Sequence, residues 1–266
     1  MLLMVVKPNR ALVEMDFRGI SKTIERFISN YVKKSGAKGV VIGLSGGLDS
    51  ALVAKLAVNA IGATKVLGIL IPSGTTPIED VDHAVAHAKS LGIRYQIIDI
   101  NPLLQKYAEF LPEHKMARGN LMARIRMNIL YYYAATNDYL VTGTSDKSEI
   151  QIGYFTKFGD GAADILPIAD LYKTQVRALG KYLDIPPIIL EKKSSPRLWF
   201  NHLAEEELGM EYQTIDPILQ LLVERKLTPN QVAKKLGIPV SQVKKVNELI
   251  DKNAHKRKLP PIAILR

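Results

Sequence analysis

The segment Lys38-Gly39-Val40-Val41-Ile42-Gly43-Leu44-Ser45-Gly46-Gly47-Leu48-Asp49-Ser50 runs from an apolar strand through a turn of small residues into a helix. Val40-Val41-Ile42 is a β-branched run of the kind buried on both faces of a parallel sheet, and from Ala51 to Ala60 the spacing is helical. Such a junction gathers free backbone N–H groups at a helix N-terminus, where they face an anion. Gly43, Gly46 and Gly47 allow a tight turn and the close approach of a phosphate, while Ser45 and Ser50 add hydroxyl donors. Asp49 is out of place beside a bare phosphate, since two anions repel. It fits if a divalent cation lies between them, as at a nucleotide site. The competing reading is an ordinary Gly-rich turn with a capping Asp. A Walker A loop is excluded because no Lys follows the glycines.

Outward from this junction the chain keeps a βαβαβ rhythm. Asn9 to Lys34 carries apolar residues at helical spacing, among them Ile20, Ile24, Phe27, Ile28 and Tyr31, and predicts a helix leading into the first strand. Lys65 to Pro72 is a second buried strand, with the polar loop Ser73-Gly74-Thr75-Thr76-Pro77 at its carboxyl end. Glu79 to Leu91 is a helix and Arg94 to Ile100 a third strand. Pro102 to Gly119 is less regular, Asn120 to Asn137 is a long helix, and Asp138 to Thr144 is a fourth strand ending in small residues. Ile150 to Ala163 is a polar, Gly-rich excursion of the kind that marks a working loop. Leu171 to Leu183 is a helix, and Glu191 to Asn201 is a further candidate mobile loop holding the only tryptophan, Trp199. The last third is helical at Ala204 to Leu208, Thr214 to Glu224, Thr228 to Leu236 and Val240 to Ala254. The pattern predicts an α/β fold with a doubly wound parallel sheet and a helical C-terminal part, residues 204–266 packing as an extension on a single domain spanning 1–266. Ligands of such sheets sit beyond the carboxyl ends of the strands, where the first loop and the Ser73 to Pro77 loop both fall.

The totals narrow the function classes. At 266 residues and 47% apolar content the chain fills one good-sized core. It has no run of eighteen apolar residues, and the apolar start Met1 to Val6 is too short for a signal peptide, so no membrane partner is expected. Zero cysteines exclude disulfides, thiolate metal sites and a cysteine nucleophile, which suits a cytoplasmic protein. The net charge of +10 attracts anions, and nucleotides satisfy that as readily as nucleic acid.

Four further constellations bear on chemistry. Asn120, Arg124 and Asn128 are spaced by four on one helix and form a polar stripe with a cation at its centre, suited to an anionic ligand or simply to solvent. Gly143-Thr144-Ser145-Asp146-Lys147-Ser148-Glu149 follows a strand end, and Glu149 is the best candidate for a second magnesium ligand beside Asp49. Thr156 to Asp164 packs Lys157, Asp160 and Asp164 among glycines, matching a polar organic substrate that needs partners of both signs. Lys173 opens a helix, where a cation opposes the dipole unless an anion sits beside it.

The segment Ser45 to Ser50, S-G-G-L-D-S, resembles the pyrophosphate loop of ATP pyrophosphatases, which adenylate a substrate and release pyrophosphate. With G-N-L-M-A-R-I-R-M, G-T-S-D-K-S-E, G-Y-F-T-K-F-G-D-G-A-A-D and L-Y-K-T-Q-V, the chain resembles the NAD synthetase family in its ammonia-dependent form, from about Arg10 to the C-terminus. The resemblance implies an adenine nucleotide alpha hydrolase-like fold. It also implies a reaction in which deamido-NAD+ and ATP give an adenylated carboxylate that ammonia converts to the amide. By position it implies that Asp49 and Glu149 hold Mg2+, and that Gly43, Leu44, Ser45, Gly46, Gly47, Leu48, Asp49, Ser50, Thr144, Lys173 and Ser195 bind ATP. Arg124, Lys157, Asp164, His255 and Lys256 would bind deamido-NAD+. Asp49, Glu149 and Lys173 would carry the chemistry, in a homodimer. Two departures from the family pattern stand out: Arg197 follows Ser194-Ser195-Pro196 where the family has a small or acidic residue, and Ala204 replaces a frequent Asp. Glutamine-dependent relatives use a cysteine amidase domain, and this sequence has neither the cysteine nor the length, so ammonia is the expected nitrogen donor.

Two rival readings are set against this one. Another adenylating amidotransferase or tRNA-modifying ATP pyrophosphatase would share the first loop but not the Lys157 to Asp164 run. Leu227 to Val246 has the rhythm of a DNA-binding helix-turn-helix, with lysines at 234, 235, 244 and 245. Its second helix lacks Asn or Arg placed to read bases, so two short packed helices with solvated lysines and no nucleic-acid partner are the expectation.

Overall fold

The computed structural model describes residues 15–265. Met1 to Val6, the start of the helix expected from Asn9 and the start of the resemblance at Arg10 lie outside the described residues.

Helix α1 (Phe17–Ser35) begins at Asp16, whose carboxylate caps the Gly19 N–H, and ends at Gly36 in the left-handed region. Ile24, Ile28 and Val32, four apart, form its buried stripe. Strand β1 (Gly39–Gly43) is buried along almost its whole length and runs into α2 (Leu48–Ile61). There follow β2 (Val66–Leu70), α3 (Ile78–Ser90), β3 (Arg94–Ile97), α4 (Asn101–Ala108), α5 (Lys115–Asn137) and β4 (Tyr139–Thr142). The four strands form one sheet in the order β3-β2-β1-β4, every pair parallel.

Strand periodicity divides the core into two layers. Val40 and Ile42 join α1 and α2 on one face. Val41, between them, joins Ile100, Leu104, Met122 and Ile125 from the α4 and α5 side on the other. Both faces of β1 are therefore covered by helices, which is the doubly wound arrangement. The chain proceeds outward from β1 to β2 and β3, then returns to lay β4 on the opposite side of β1. The crevice between the carboxyl ends of β1 and β4 is the switch point at which such sheets bind ligands.

Beyond β4 come α6 (Lys147–Ile152), α7 (Lys173–Tyr182), the turn α8 (Pro187–Leu190), α9 (Ala204–Leu208), α10 (Tyr212–Leu219), α11 (Pro229–Leu236) and α12 (Val240–Lys252). The last four pack around Ile215, Ile218, Val232, Val243 and Val246, joined by Ile152 and Tyr172 from the preceding elements. In the helix-turn-helix-like pair Val232, Val243 and Val246 are buried, and Lys234, Lys235, Lys244 and Lys245 are exposed.

Three expectations need correction. The stretch thought less regular, 102–119, is largely helical: α4 starts at Asn101 with Pro102 in its first turn, where a missing N–H is tolerated, and α5 begins at Lys115. The excursion 150–163 begins inside α6, whose capping box at Asp146 and Glu149 was legible but unused. The helix expected over 214–224 is α10 followed by a π-helical turn at Gln220–Glu224. Pro217, which has no N–H to donate, interrupts the ladder just before it.

Candidate active site

At the carboxyl end of β1 the backbone turns through Gly46, with φ of +76°. A β-carbon there would fall 2.0 Å from the Asp80 carbonyl oxygen, so glycine is required by both conformation and space. Gly47 precedes α2 in extended conformation and no side chain caps the helix, which leaves its first N–H groups directed at the crevice. The Ser50 hydroxyl accepts from the Ser45 N–H at 3.2 Å, and the Ser45 hydroxyl accepts from the Gly47 N–H at 3.2 Å. The loop thus folds on its own hydroxyls.

Beside it lies a charge cluster built from three elements. The Lys173 ammonium at the start of α7 is 2.8 Å from Asp49 Oδ2, 2.8 Å from Asp146 Oδ2 and 2.9 Å from Glu149 Oε1. Lys173 is 2% exposed and Asp146 fully buried. The unfavourable place of a cation at a helix N-terminus is thereby offset by three carboxylates. Burial pushes the Glu149 carboxyl up, and the charges of Asp146 and Asp49 push it the same way against the pull of Lys173. Burial also raises Asp146, while the carboxylates hold Lys173 well above its ordinary value despite burial. One ammonium cannot balance three carboxylates, and Asp49 Oδ1 is buried without a hydrogen-bond partner.

Lys173 is placed through its backbone. Its N–H donates to the Ser148 hydroxyl at 3.0 Å, and that hydroxyl donates to Asp216 at 2.5 Å. Asp216, fully buried on α10, also accepts from the Thr174 N–H at 2.8 Å. The C-terminal helices thereby cap α7 and fix the distance between Lys173 and Glu149.

A cavity of about 600 Å³ opens over the loop. Of the residues expected to bind ATP, the stretch Gly43 to Ser50 apart from Gly46 lines it, with Thr144 and Ser195. Lys173 sits behind that lining in the charge cluster. The residues expected to bind deamido-NAD+ divide. Lys256 lines the cavity, its ammonium donating to the Gly153 and Phe155 carbonyls at 2.7 and 2.9 Å. Arg124, Lys157, Asp164 and His255 lie outside that lining: Arg124 donates to the Lys157 carbonyl at 3.3 Å, and Lys157 to the His255 carbonyl at 2.9 Å. Asp164 accepts from Tyr131 at 3.3 Å and from the Val141 N–H at 2.7 Å.

The polar stripe of α5 also divides. Asn120 faces the cavity and accepts from Thr156 at 2.8 Å, whereas Arg124 and Asn128 are exposed. Residues eight apart drift by about 80° round a helix, so one stripe need not face one site. The cation of α5 in the cavity wall is Arg126, which donates to the Ile71 carbonyl at 3.0 Å and to Ser73 at 3.3 Å. Sequence reasoning also missed Asp146, Asp80, Lys192 and Asp216. Only Asp146 left a signal, the Asp-x-x-Glu capping box.

Fold and site define an adenine nucleotide alpha hydrolase-like protein, with a glycine turn and the uncapped start of α2 at the carboxyl end of its first strand. The chain belongs to the NAD synthase family, which matches residues 20–260. It is 50% identical over 253 residues to the NH(3)-dependent NAD(+) synthetase of Hyperthermus butylicus, covering 94% of this chain and 92% of the relative. The structure of an NMN synthetase from Francisella tularensis superposes with a TM-score of 0.83 at 35% identity, over 94% of this chain and 99% of that one. That of the NH3-dependent NAD synthetase from Campylobacter jejuni, in complex with nitrate, gives 0.81 at 33% identity, over 94% and 100%. As a member of this family the chain is an ATP-using ligase of NAD biosynthesis.

Proposed function

We propose that this protein amidates deamido-NAD+ with ammonia at the expense of ATP, releasing AMP and pyrophosphate. The observation that carries the reading is the Lys173 ammonium, clamped by Asp49, Asp146 and Glu149 at the rim of the phosphate loop in a chain of this family. The nicotinate carboxylate attacks the α-phosphorus of ATP, an acyl-adenylate forms and pyrophosphate leaves. Ammonia then attacks the acyl carbon, sheds a proton, and expels AMP. Asp49 and Glu149 are hard oxygen donors, and the excess carboxylate charge with the unpartnered Asp49 Oδ1 fits a magnesium ion. Among the described residues no three acidic or histidine side chains form a ready-made metal cage, so Asp49 and Glu149 would hold such an ion as a pair. Held there, the ion would neutralise charge on the transferring and departing phosphates. Lys173 and the first N–H groups of α2 stabilise the same charge from the protein side, while Thr144 and Ser195 contact the nucleotide.

Lys256 reads deamido-NAD+ from inside the cavity. Arg124, Lys157, Asp164 and His255 read it from the exposed flank of α5, which a second copy covers in a homodimer. The chain acts as one cytoplasmic unit of 1–266 with the helices after 204 packed on it. Light scattering then gives twice the chain mass of 29.5 kDa, and the chain mass alone removes the dimer. Among the described residues no helix is long and apolar enough to cross a membrane.

The decisive assay supplies ATP, Mg2+ and ammonium chloride with either deamido-NAD+ or nicotinate mononucleotide. The second substrate is included because one close structural relative is an NMN synthetase. NAD+ forms from the dinucleotide with ammonia, and little forms with glutamine once contaminating ammonia is controlled. Preferential use of the mononucleotide, or glutamine equal to ammonia, overturns the reading.

A further inference from the structure

The irregular segment from Glu191 to Leu203 carries two cations that meet on one buried carboxylate. Lys192 Nζ donates to Asp80 Oδ1 at 2.7 Å, and Arg197 Nε to Asp80 Oδ2 at 2.8 Å. Asp80, in the first turn of α3, is almost wholly buried. The Lys192 ammonium also donates to the Gly46 carbonyl at 2.8 Å, so it rests on the phosphate loop itself. The backbone of Asp80 presses against the same glycine.

We propose that Lys192, with Arg197 beside it, is a ligand of the nucleotide's polyphosphate tail, parked on Asp80 until the nucleotide arrives. The proposal rests on the reading of Gly43 to Ser50 as the phosphate loop. Two cations on one carboxylate leave a positive charge uncompensated in a partly buried place, which calls for an anion. The loop that takes the anion is one hydrogen bond away. The segment is built to release its cations without coming loose: Arg177 of α7 holds its base through the Leu190 carbonyl at 2.6 Å. Arg197 and Asn201 keep φ of +51° and +55°, left-handed conformations that side chains adopt at a cost and that recur at ligand clamps. Thr75, in the loop after β2, donates to the Arg197 carbonyl at 2.7 Å and joins the two loops over the cavity. As the carboxylate-bound adenylate forms, Lys192 stays with the departing pyrophosphate.

Product inhibition separates the two halves of the nucleotide. In Lys192→Ala the KM for ATP and the inhibition constant for inorganic pyrophosphate rise roughly tenfold or more, while the constants for AMP and deamido-NAD+ stay put. In Asp80→Asn, which removes the competing charge, pyrophosphate inhibits at about threefold lower concentration. An unchanged pyrophosphate constant in Lys192→Ala overturns the proposal. So does an equal rise for pyrophosphate and AMP, because that marks a lysine which only shapes the segment. Weaker pyrophosphate inhibition in a folded Asp80→Asn overturns the parking. Lys192 is a surface-segment residue, so its variant carries the test even if Asp80→Asn fails to fold, and circular dichroism checks both. If the unaltered enzyme neither uses ATP nor responds to pyrophosphate, the phosphate-loop reading itself has failed, a result distinct from any of these.

Discussion

Asp49 and Glu149 can lose their charge and keep their shape. In Asp49→Asn and Glu149→Gln pyrophosphate release falls by roughly a hundredfold or more, with unchanged circular dichroism. Full activity in either variant removes that residue from the metal site. Gly46→Ala acts differently. Its β-carbon meets backbone, not a side chain that can swing away, and the left-handed φ adds strain of about 1–3 kcal/mol. A lower urea midpoint is expected, together with weaker ATP binding, and an unchanged midpoint contradicts the geometry. Residues of this kind were legible because glycines, serines and an acid in an apolar setting have no packing reason to be there. Lys173 was legible for a related reason: a cation at a helix N-terminus announces a missing partner. Asp80 and Arg126 were not, since each looks like an ordinary helix residue until a distant segment is folded against it.

Capping links sequence to site at the level of elements. The Asp-x-x-Glu box that starts α6 uses both of its carboxylates a second time on Lys173, so one four-residue pattern sets a helix and supplies half the charge cluster. Asp216 does the corresponding work for α7 from another helix, accepting from Ser148 and from the Thr174 N–H. Asp216→Ala leaves those donors buried, and stability falls by about 3 kcal/mol or more in urea titration. Because Lys173 then loses its fixed backbone, kcat falls further than stability requires at a temperature where the variant is fully folded. Normal kcat in that variant would falsify the link. Strands β1 and β2 and helix α2 could be read from apolar pattern alone. Helices α4 and α6 could not, because short elements are held by tertiary contacts, and those of α6 come from α7, α10 and α12, all later in the chain. The stripe on α5 shows the limit of periodicity: it identifies a face of a helix but not which side of the molecule that face looks onto.

At the scale of the molecule, helices α2 and α3, packed side by side on one face of the sheet, are joined partly by a buried imidazole. His87 of α3 is buried, and its Nε2 lies 3.0 Å from the Ala51 carbonyl on α2, an acceptor that requires the N–H tautomer. Burial pushes its pKa below the ordinary 6.5. The unfolded chain therefore takes up a proton at higher pH than the folded one. Stability is intact above 6.5 and declines as pH falls from there toward the depressed folded value. Urea unfolding at a series of pH values reads the slope, and His87→Gln removes its share; an identical slope in the variant clears His87. The sheet order has a further consequence for how the protein is made. Residue 39 pairs with residue 139, and Asp49 meets its ammonium 124 residues later in the chain. A ribosome releasing the polypeptide from its N-terminus delivers β1 and the glycine turn early and their counter-charge late. During that interval Asp49 and Asp146 have no reason to approach one another, and the crevice has only one wall. Asp216, which holds α7 in place, arrives later still. Nascent chains halted before residue 173 should therefore fail to retain nucleotide even where the central strands are already protected from proteolysis.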